Sequence, residues 1–164
     1  MTDTITGEVA ARLRTGLRRL AKAVVVITCR RDNTRFAMAA TAVSELSMDP
    51  PSLLICVNRT ASLHAPLSQG GEFCVNILHA SHADIATTCG GGAKGEARFN
   101  IGSWAEGPSG TPYLQGAQAS FFCRMETGLD YGTHSILIGQ VTDVRTEGPV
   151  DPLVYVDGRY ARVA

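Results

Sequence analysis

The residues best suited to chemistry follow one apolar segment of the chain. Leu53–Val57 is apolar, and the polar residues Asn58, Arg59, Thr60 and Ser62 come directly after it, where the sequence predicts a short helix. Amides at a helix N-terminus attract anions, hydroxyl groups donate hydrogen bonds, and arginine adds a full positive charge. The segment is therefore typical of a phosphate site. It also fits an ordinary helix cap beside a solvated arginine, and these residues alone leave both interpretations open.

Other patterns give weaker indications. His79, His82 and Cys89 could begin a metal site, but the sequence offers no convincing further ligands, so no metal is predicted. The glycine-rich stretch 90–95 lacks the spacing of a phosphate-binding loop, and no dinucleotide-binding glycine motif follows the first predicted strand. A nucleophile-elbow motif and paired carboxylates are also missing, which argues against hydrolysis.

Composition narrows the class of ligand. The chain has 164 residues, which fits one domain spanning 1–164. Its 15 basic and 15 acidic residues balance, so neither a nucleic acid nor an anionic membrane is expected as a partner. No stretch approaches the roughly 20 apolar residues of a membrane helix, and Met1–Arg19 lacks the apolar block of a signal peptide. We therefore expect a small-molecule ligand and a cytoplasmic location.

Periodicity predicts one long helix followed mainly by strands. Apolar residues at spacings of three and four over residues 5–20 predict an amphipathic helix that packs one face on a core. Ser62–Ser68 and Ser81–Thr88 are predicted to be short helices, the second with Ser81 and Asp84 at capping-box spacing. Many short strands with few helices indicate a barrel. The predicted strands are Val24–Cys29, Phe36–Ser47, Ser52–Val57, Phe73–Leu78, Ala117–Thr127, His134–Val144 and Leu153–Val156.

The cysteines indicate core packing. Five cysteines form an odd set without the spacing of a zinc knuckle, and most of them lie among apolar neighbours. A reduced cysteine in such surroundings behaves as a small apolar side chain. Neither a disulfide framework nor a zinc site is therefore expected.

Phe36–Pro51 together with Cys56–His64 resembles the signature of the flavin reductase-like family, the short reductases of two-component monooxygenases. The resemblance covers nearly the whole chain in order. It implies a mainly β fold with flanking helices, the FMN-binding split β-barrel of the Greek-key type. The further matching segments are Phe73–Leu78, Arg98-Phe99, Gly110–Leu114, Gly132–His134, Ile138–Val141 and Leu153–Tyr155.

The resemblance also implies a set of site residues. The segment around Thr41 would run beside the isoalloxazine ring, the residues around Arg59 would hold the flavin phosphate, and Arg98 would approach from a loop or a neighbouring subunit. His134 would contact nicotinamide and flavin, although a histidine that opens a strand can equally be structural. The implied cofactor-binding residues are Ala40, Thr41, Ala42, Ser47, Cys56, Val57, Asn58, Arg59, Thr60, Ser62, Arg98 and Phe99.

Several positions depart from the family pattern. Thr133 stands before His134, where the family usually has an acidic residue. Ala37–Ala42 replaces Gly-Met-Thr-Ala-Ser-Ser, so two hydroxyl groups are missing near the expected flavin ring. Backbone contacts would then carry more of the binding, and flavin affinity would be modest.

The function implied by the resemblance is reduction of FMN, or of FAD, by NADH or NADPH, in a homodimer that passes reduced flavin to a monooxygenase. Hydride transfer of this kind needs no acid–base set from the protein, since the two cofactors supply the chemistry. Two alternatives remain open. The first is a flavoprotein that retains FMN and reduces a cobalt-corrin intermediate of cobalamin biosynthesis. The second is a non-catalytic module that binds flavin or haem.

Overall fold

The computed structural model describes residues 2–163, with side chains from Ile5 onward. Within that range the chain forms three α-helices and twelve strands. The helices are α1 (Thr2–Leu17), α2 (His64–Ser68) and α3 (Ala83–Thr87). The strands are β1 (Lys22–Ala23), β2 (Val25–Arg31), β3 (Thr34–Ala40), β4 (Val43–Met48), β5 (Pro51–Asn58), β6 (Glu72–Ile77), β7 (Trp104–Glu106), β8 (Pro112–Leu114), β9 (Ala119–Tyr131), β10 (His134–Thr146), β11 (Leu153–Val156) and β12 (Arg159–Arg162).

Seven strands form one antiparallel sheet in the order β3-β2-β6-β9-β10-β5-β4. The edge strands β3 and β4 are joined only by Thr41 and Ala42 and do not pair with each other in this sheet. β6 returns beside β2 instead of following β5, which is a Greek-key feature. The predicted mainly β fold is confirmed, as a barrel that stays open between β3 and β4.

The gap between the edge strands corrects one sequence prediction. Residues 36–47 were expected to form a single strand, but the chain breaks at Thr41 and Ala42 and crosses from one sheet edge to the other. No glycine or proline lies between residues 34 and 48 to mark the break. It arises because the two halves pair with different neighbours, β2 and β5.

Both faces of the sheet are buried at β2, because its first five residues are all buried and successive side chains point to opposite faces. Ile27, Ile55 and Phe73 are fully buried in the interior of the open barrel. Val26 and Leu78 face the other side, where they pack in a second apolar cluster with residues of α3 and of the 3₁₀ turn Gly95–Phe99. The strands of the open barrel are therefore packed on both faces of the sheet.

α1 forms as predicted, but the expectation that its apolar face packs on the core is wrong. Ile5, Val9, Leu13 and Leu17 are 60%, 49%, 59% and 43% exposed. Periodicity predicts a helix with an apolar stripe, yet it cannot tell what covers that stripe. In the described part of this chain nothing buries it.

The predicted short helix Ser81–Thr88 begins differently from the expectation. The capping interactions come from His79 and His82, not from Ser81 and Asp84, and the 3₁₀ turn Ala80–His82 precedes α3. The imidazole of His79 accepts from the Ser81 amide, so it takes the place of the expected serine cap. Strands β7, β8 and β12 were not anticipated from the sequence, since each has only three or four residues.

The prediction that most of the cysteines are core side chains is confirmed. All five thiols are free, and four of them are buried. Burial raises the pKa of Cys29 and of Cys123 to about 12 and that of Cys89 to about 11. These thiols stay protonated near neutral pH and serve as core side chains.

None of the helices in the described part of the chain has the length and apolar character needed to span a membrane.

Gly139 of β10 is required where the sheet irregularity brings its backbone close to the core. A Cβ atom there would lie 2.4 Å from Cζ of Phe73, whose ring is fully buried. We expect Gly139→Ala to lower the free energy of unfolding by about 1–3 kcal/mol, the usual effect of overpacking a core. Chemical denaturation measures it. Gly16→Ala is the matched control: no atom lies near its Cβ position in α1, so this variant is expected to be neutral or slightly stabilising. Equal stability of the two variants would contradict the inference that position 139 has no room for a side chain.

Candidate functional site

The end of β5 and the tip of the β9–β10 hairpin form a polar pocket. Asn58, the last residue of β5, lies opposite His134, the first residue of β10. This register brings the loop after β5 beside the hairpin turn, and the Arg59 amide donates to the Thr133 carbonyl at 2.9 Å. The lining residues are Asn58, Arg59, Thr60, His64, Gly132 and Thr133. Three of the residues predicted to hold a phosphate therefore meet in one place.

The loop after β5 is organised by the side chain of Asn58. Its Oδ1 accepts from both the amide and the hydroxyl of Thr60, each at 2.9 Å. The Thr60 hydroxyl proton is thus used within the loop. The predicted helix start is also shifted, because α2 begins at His64 and Ser62 is exposed before it, without a cap role. A helix of five residues adds little dipole, so the positive charge of this pocket comes from Arg59.

Arg59 is only loosely held. Its Nε lies 3.9 Å from Oδ2 of Asp130, and its guanidinium donates to the Gly132 carbonyl at 3.5 Å. About half of the side chain is exposed, at 52%. The guanidinium can therefore turn toward an anion in the pocket without breaking a strong contact.

A hydrogen-bonded chain under the pocket was missed from the sequence. Nε2 of His64 lies 2.7 Å from Oγ of Ser135, and that buried hydroxyl donates to Oδ1 of Asp130. Asp130 thereby connects the buried chain to Arg59. Period-two alternation along β10 could have revealed Ser135, since it places this polar residue on the same face as Leu137.

His134 is exposed beside the hairpin turn and follows Thr133, but it is not among the residues that line the pocket. Its Nδ1 lies 2.8 Å from the Thr133 hydroxyl. The Thr133 hydroxyl is thus bonded to the ring nitrogen that would otherwise face the acidic residue usual in the family at this position. The exposed edge of the imidazole leaves His134 able to contact a ligand, and that role stays a prediction.

A large apolar cavity lies beside β4 and the first half of β5. Its volume is about 750 Å³, within the usual range for small-molecule sites. Thr41, Ala42, Ser47 and Cys56 are among its lining residues, and the Cys56 amide donates to the Ala42 carbonyl at 3.0 Å. The lining also includes apolar side chains from the barrel interior, namely Val25, Val75, Ile77, Phe121 and Val141.

Several predicted cofactor contacts have other partners. Ala40 packs against the barrel interior, and the Val57 side chain is fully buried there, so neither presents its side chain freely. The Ser47 hydroxyl donates to the Asp49 carbonyl at 3.0 Å and accepts from the Asp49 amide. These three residues can approach a ligand chiefly through backbone atoms or after local adjustment.

Arg98 and Phe99 do not join either pocket within this chain. The Arg98 guanidinium donates to the carbonyls of Ala37 and Ala93. The Phe99 ring is 7% exposed, makes an edge contact with Trp104 and lies beneath the Arg35 guanidinium. They pack on the outer face of β3, and their part in a flavin site remains a prediction.

The two pockets together can bind a ligand but offer little chemistry of their own. Among the described residues no three His, Cys, Asp or Glu side chains are grouped to hold a metal ion. The arrangement combines an apolar cavity large enough for a planar ring system with a cationic pocket at the far end of β5. An aromatic ring with a phosphate-bearing tail, as in a flavin mononucleotide, fits this combination.

The chain is similar in sequence to known proteins. The sequence profile described as Flavin reductase like domain matches residues 17–164. A relative from Agrobacterium fabrum, named FMN reductase (NADH) RutF, is 40% identical over 147 residues, which cover 90% of this chain and 84% of the relative.

Solved structures agree with the profile. BorF, the flavin reductase component of a bacterial two-component tryptophan halogenase, is 30% identical, has a TM-score of 0.86 and aligns over 94% of this chain and 98% of its own. The NADH:FAD oxidoreductase SgcE6 of Streptomyces globisporus, solved with NAD and FAD fragments, is 26% identical, has a TM-score of 0.88 and aligns over 94% and 93%. With a profile match over most of its length and a fold shared with such reductases, this chain belongs to the flavin reductase-like family.

Proposed function

We propose that this protein is an oxidoreductase that uses NADH to reduce FMN. The observation that carries the proposal is the pairing of an apolar cavity of about 750 Å³ with a separate pocket whose positive charge comes from Arg59. The names of its relatives support FMN and NADH as the substrates, and SgcE6 supports FAD as a second flavin.

In this proposal each part of the site has a separate task. The cavity beside Thr41 and Ala42 takes the flavin ring, and Arg59 with the loop after β5 takes the phosphate. His134, which follows Thr133 of the polar pocket, contacts the nicotinamide or the flavin edge. Arg98 and Phe99 would enter the flavin site only if the chain around them rearranges or a second subunit brings its own copies. The protein binds, orients and shields the rings.

Hydride transfer from nicotinamide to flavin is chemistry that the two cofactors supply. The protein contributes proximity. Because it holds the two rings in contact, hydride transfer between them becomes an effectively unimolecular step. Cys56 is the half-buried thiol beside the cavity, whereas the other four thiols are buried. No group of this site is assigned a proton-transfer role.

The proposed acceptor of the reduced flavin is a partner monooxygenase or another acceptor enzyme. BorF is a component of a two-component tryptophan halogenase. Nitrilotriacetate monooxygenase component B of Mycobacterium thermoresistibile, with 26% identity and a TM-score of 0.86, is named as part of a monooxygenase. A cytoplasmic location also belongs to the proposal, since five free cysteines suit a reducing compartment.

Anaerobic reduction tests the proposal. The purified protein is mixed with NADH, with and without added FMN, while the visible absorbance of oxidised flavin is followed. Bleaching of added FMN at a rate that depends on the protein supports an FMN reductase. A flavin that copurifies, survives dialysis and is then bleached would favour the alternative with retained FMN and a cobalt-corrin acceptor. If no bleaching occurs with either NADH or NADPH, the enzyme proposal fails and a non-catalytic flavin- or haem-binding module replaces it.

We also propose that the protein is a homodimer in which the apolar stripe of α1 is covered by the second subunit. Four apolar residues of this stripe are between 43% and 60% exposed. Patches of this kind on a folded chain mark interaction surfaces. The apolar cavity is lined in part by Leu20 and Ala21, which follow α1, so a second subunit at this stripe would also border the flavin cavity.

Replacing one residue in this stripe should dissociate the dimer. We expect Leu13→Asp to convert a dimer to a monomer in light scattering after size-exclusion chromatography, because a buried unpaired carboxylate is costly at an interface. Ala11→Asp is the control, because it introduces the same acidic side chain on the opposite face of the same helix. A wild-type monomer, or a Leu13→Asp variant that stays dimeric, would contradict the proposal.

A further inference from the structure

Asp130 is the acidic residue that faces Arg59 at the edge of the polar pocket. The carboxylate and the guanidinium are 3.9 Å apart, and their side chains are 61% and 52% exposed. An ion pair at this distance and exposure is weak, so a competing anion can replace it. Arg59 therefore already has an anionic partner before any phosphate enters the pocket.

The carboxylate of Asp130 is held in place from its other side. The Ser135 hydroxyl donates to Oδ1 of Asp130, and Ser135 is 1% exposed. Since an ionised carboxylate has no proton to give, the Ser135 oxygen is left to accept from Nε2 of His64, 2.7 Å away. The hydrogen bond from Ser135 holds the Asp130 carboxylate beside Arg59, although the Asp130 side chain is 61% exposed.

We infer that Asp130 sets the affinity for flavin: its carboxylate competes with the flavin phosphate for the Arg59 guanidinium and repels that phosphate, so that FMN is held loosely enough to exchange. The inference rests on the proposed function and deepens it. Two like charges about 4 Å apart in water change an equilibrium constant by about fivefold. A reductase that hands its product to a second protein must release that product, and this fixed charge favours release.

Asp130→Asn tests the inference with little structural change, because the amide keeps an oxygen that accepts from Ser135. The Kd for FMN, measured without NADH from the quenching of flavin fluorescence, is expected to fall by about three- to tenfold. The Kd for riboflavin is expected to stay constant, because riboflavin has no phosphate for Asp130 to repel. The dissociation rate of FMN should fall with the Kd.

Two further variants make the result specific. Glu126→Gln removes an exposed carboxylate from the same strand, where Glu126 pairs with Arg124, and should leave both affinities unchanged. In an Arg59→Ala background the gain from Asp130→Asn should shrink, since competition for the guanidinium has gone. Thermal melts confirm that each variant is folded.

The outcomes separate this inference from the proposed function. If wild-type protein reduces FMN with NADH but Asp130→Asn binds FMN no more tightly, the inference is wrong and the proposed function stands. Tightening that is equal for riboflavin and FMN, or weaker binding of FMN, also overturns the inference. If the wild-type protein reduces no flavin, the proposed function fails instead, whatever the variant binds.

Discussion

Arg59→Ala is expected to weaken FMN binding by about 1–3 kcal/mol, which is roughly 5- to 150-fold in Kd. Arg59 supplies the full positive charge of the polar pocket, where the Thr60 hydroxyl is already bonded to Asn58 and α2 is too short to add much dipole. A charge-assisted hydrogen bond to phosphate is lost in the variant, and among the described residues no other arginine or lysine lines this pocket. Fluorescence titration with FMN measures the change.

Riboflavin is the internal control for this variant. It carries the same ring system without the phosphate, so its Kd should not respond to Arg59→Ala. Arg124→Ala is the control on the protein side, since Arg124 is also exposed and lies away from both pockets, next to Glu126 and Gln140. An unchanged FMN affinity in Arg59→Ala would remove the phosphate assignment and with it the premise for Asp130.

Asn76→Ala is expected to lower the free energy of unfolding by about 3–5 kcal/mol. Asn76 lies in β6 and is fully buried. Its Nδ2 donates to the Val26 carbonyl at 2.9 Å, and its Oδ1 accepts from the Leu114 amide at 2.9 Å and from the Ser120 hydroxyl at 3.1 Å. Alanine would leave these buried partners without hydrogen bonds, and each unsatisfied group lowers the free energy of unfolding by about 1–3 kcal/mol.

Urea denaturation of Asn76→Ala and of a matched variant measures this effect. Asn33→Ala is unsuitable as the control because Asn33 has a positive φ. Asn100→Ala is suitable, since Asn100 is exposed after the 3₁₀ turn Gly95–Phe99 and has a negative φ. We expect a loss below about 0.5 kcal/mol for that surface change. A comparable small loss for Asn76→Ala would mean that the partners find water or one another.

The strand pattern could be predicted because alternation and turn residues are local signals. The strands around Ile27, Ile55 and Leu137 all form close to their predicted positions. The break at Thr41 and Ala42 could not be predicted, because it depends on which distant strand each half pairs with. The exposure of the apolar stripe of α1 was missed for a related reason, since an apolar stripe specifies burial and not the surface that provides it.

The site was predictable in part. The polar residues after β5 meet the hairpin tip at one pocket, as their order in the chain suggested for Asn58 to Thr60. Alternation along β10 could have indicated Ser135, whereas the role of Asp130 depends on cross-strand register and hydrogen bonding, which a single sequence does not reveal. Arg98 was assigned from a family resemblance, and within this chain its guanidinium is bound to backbone carbonyls instead.

The long β9–β10 hairpin has a buried base and an exposed tip. Ala119, Ser120 and Phe122 are buried, whereas residues 126–134 are exposed. Opening of the tip therefore requires much less free energy than unfolding of the base, and amide hydrogen exchange would be graded along its length. Since Asp130 and His134 lie on the tip, substitutions at either position would change their proposed flavin contacts without lowering the stability that the base provides.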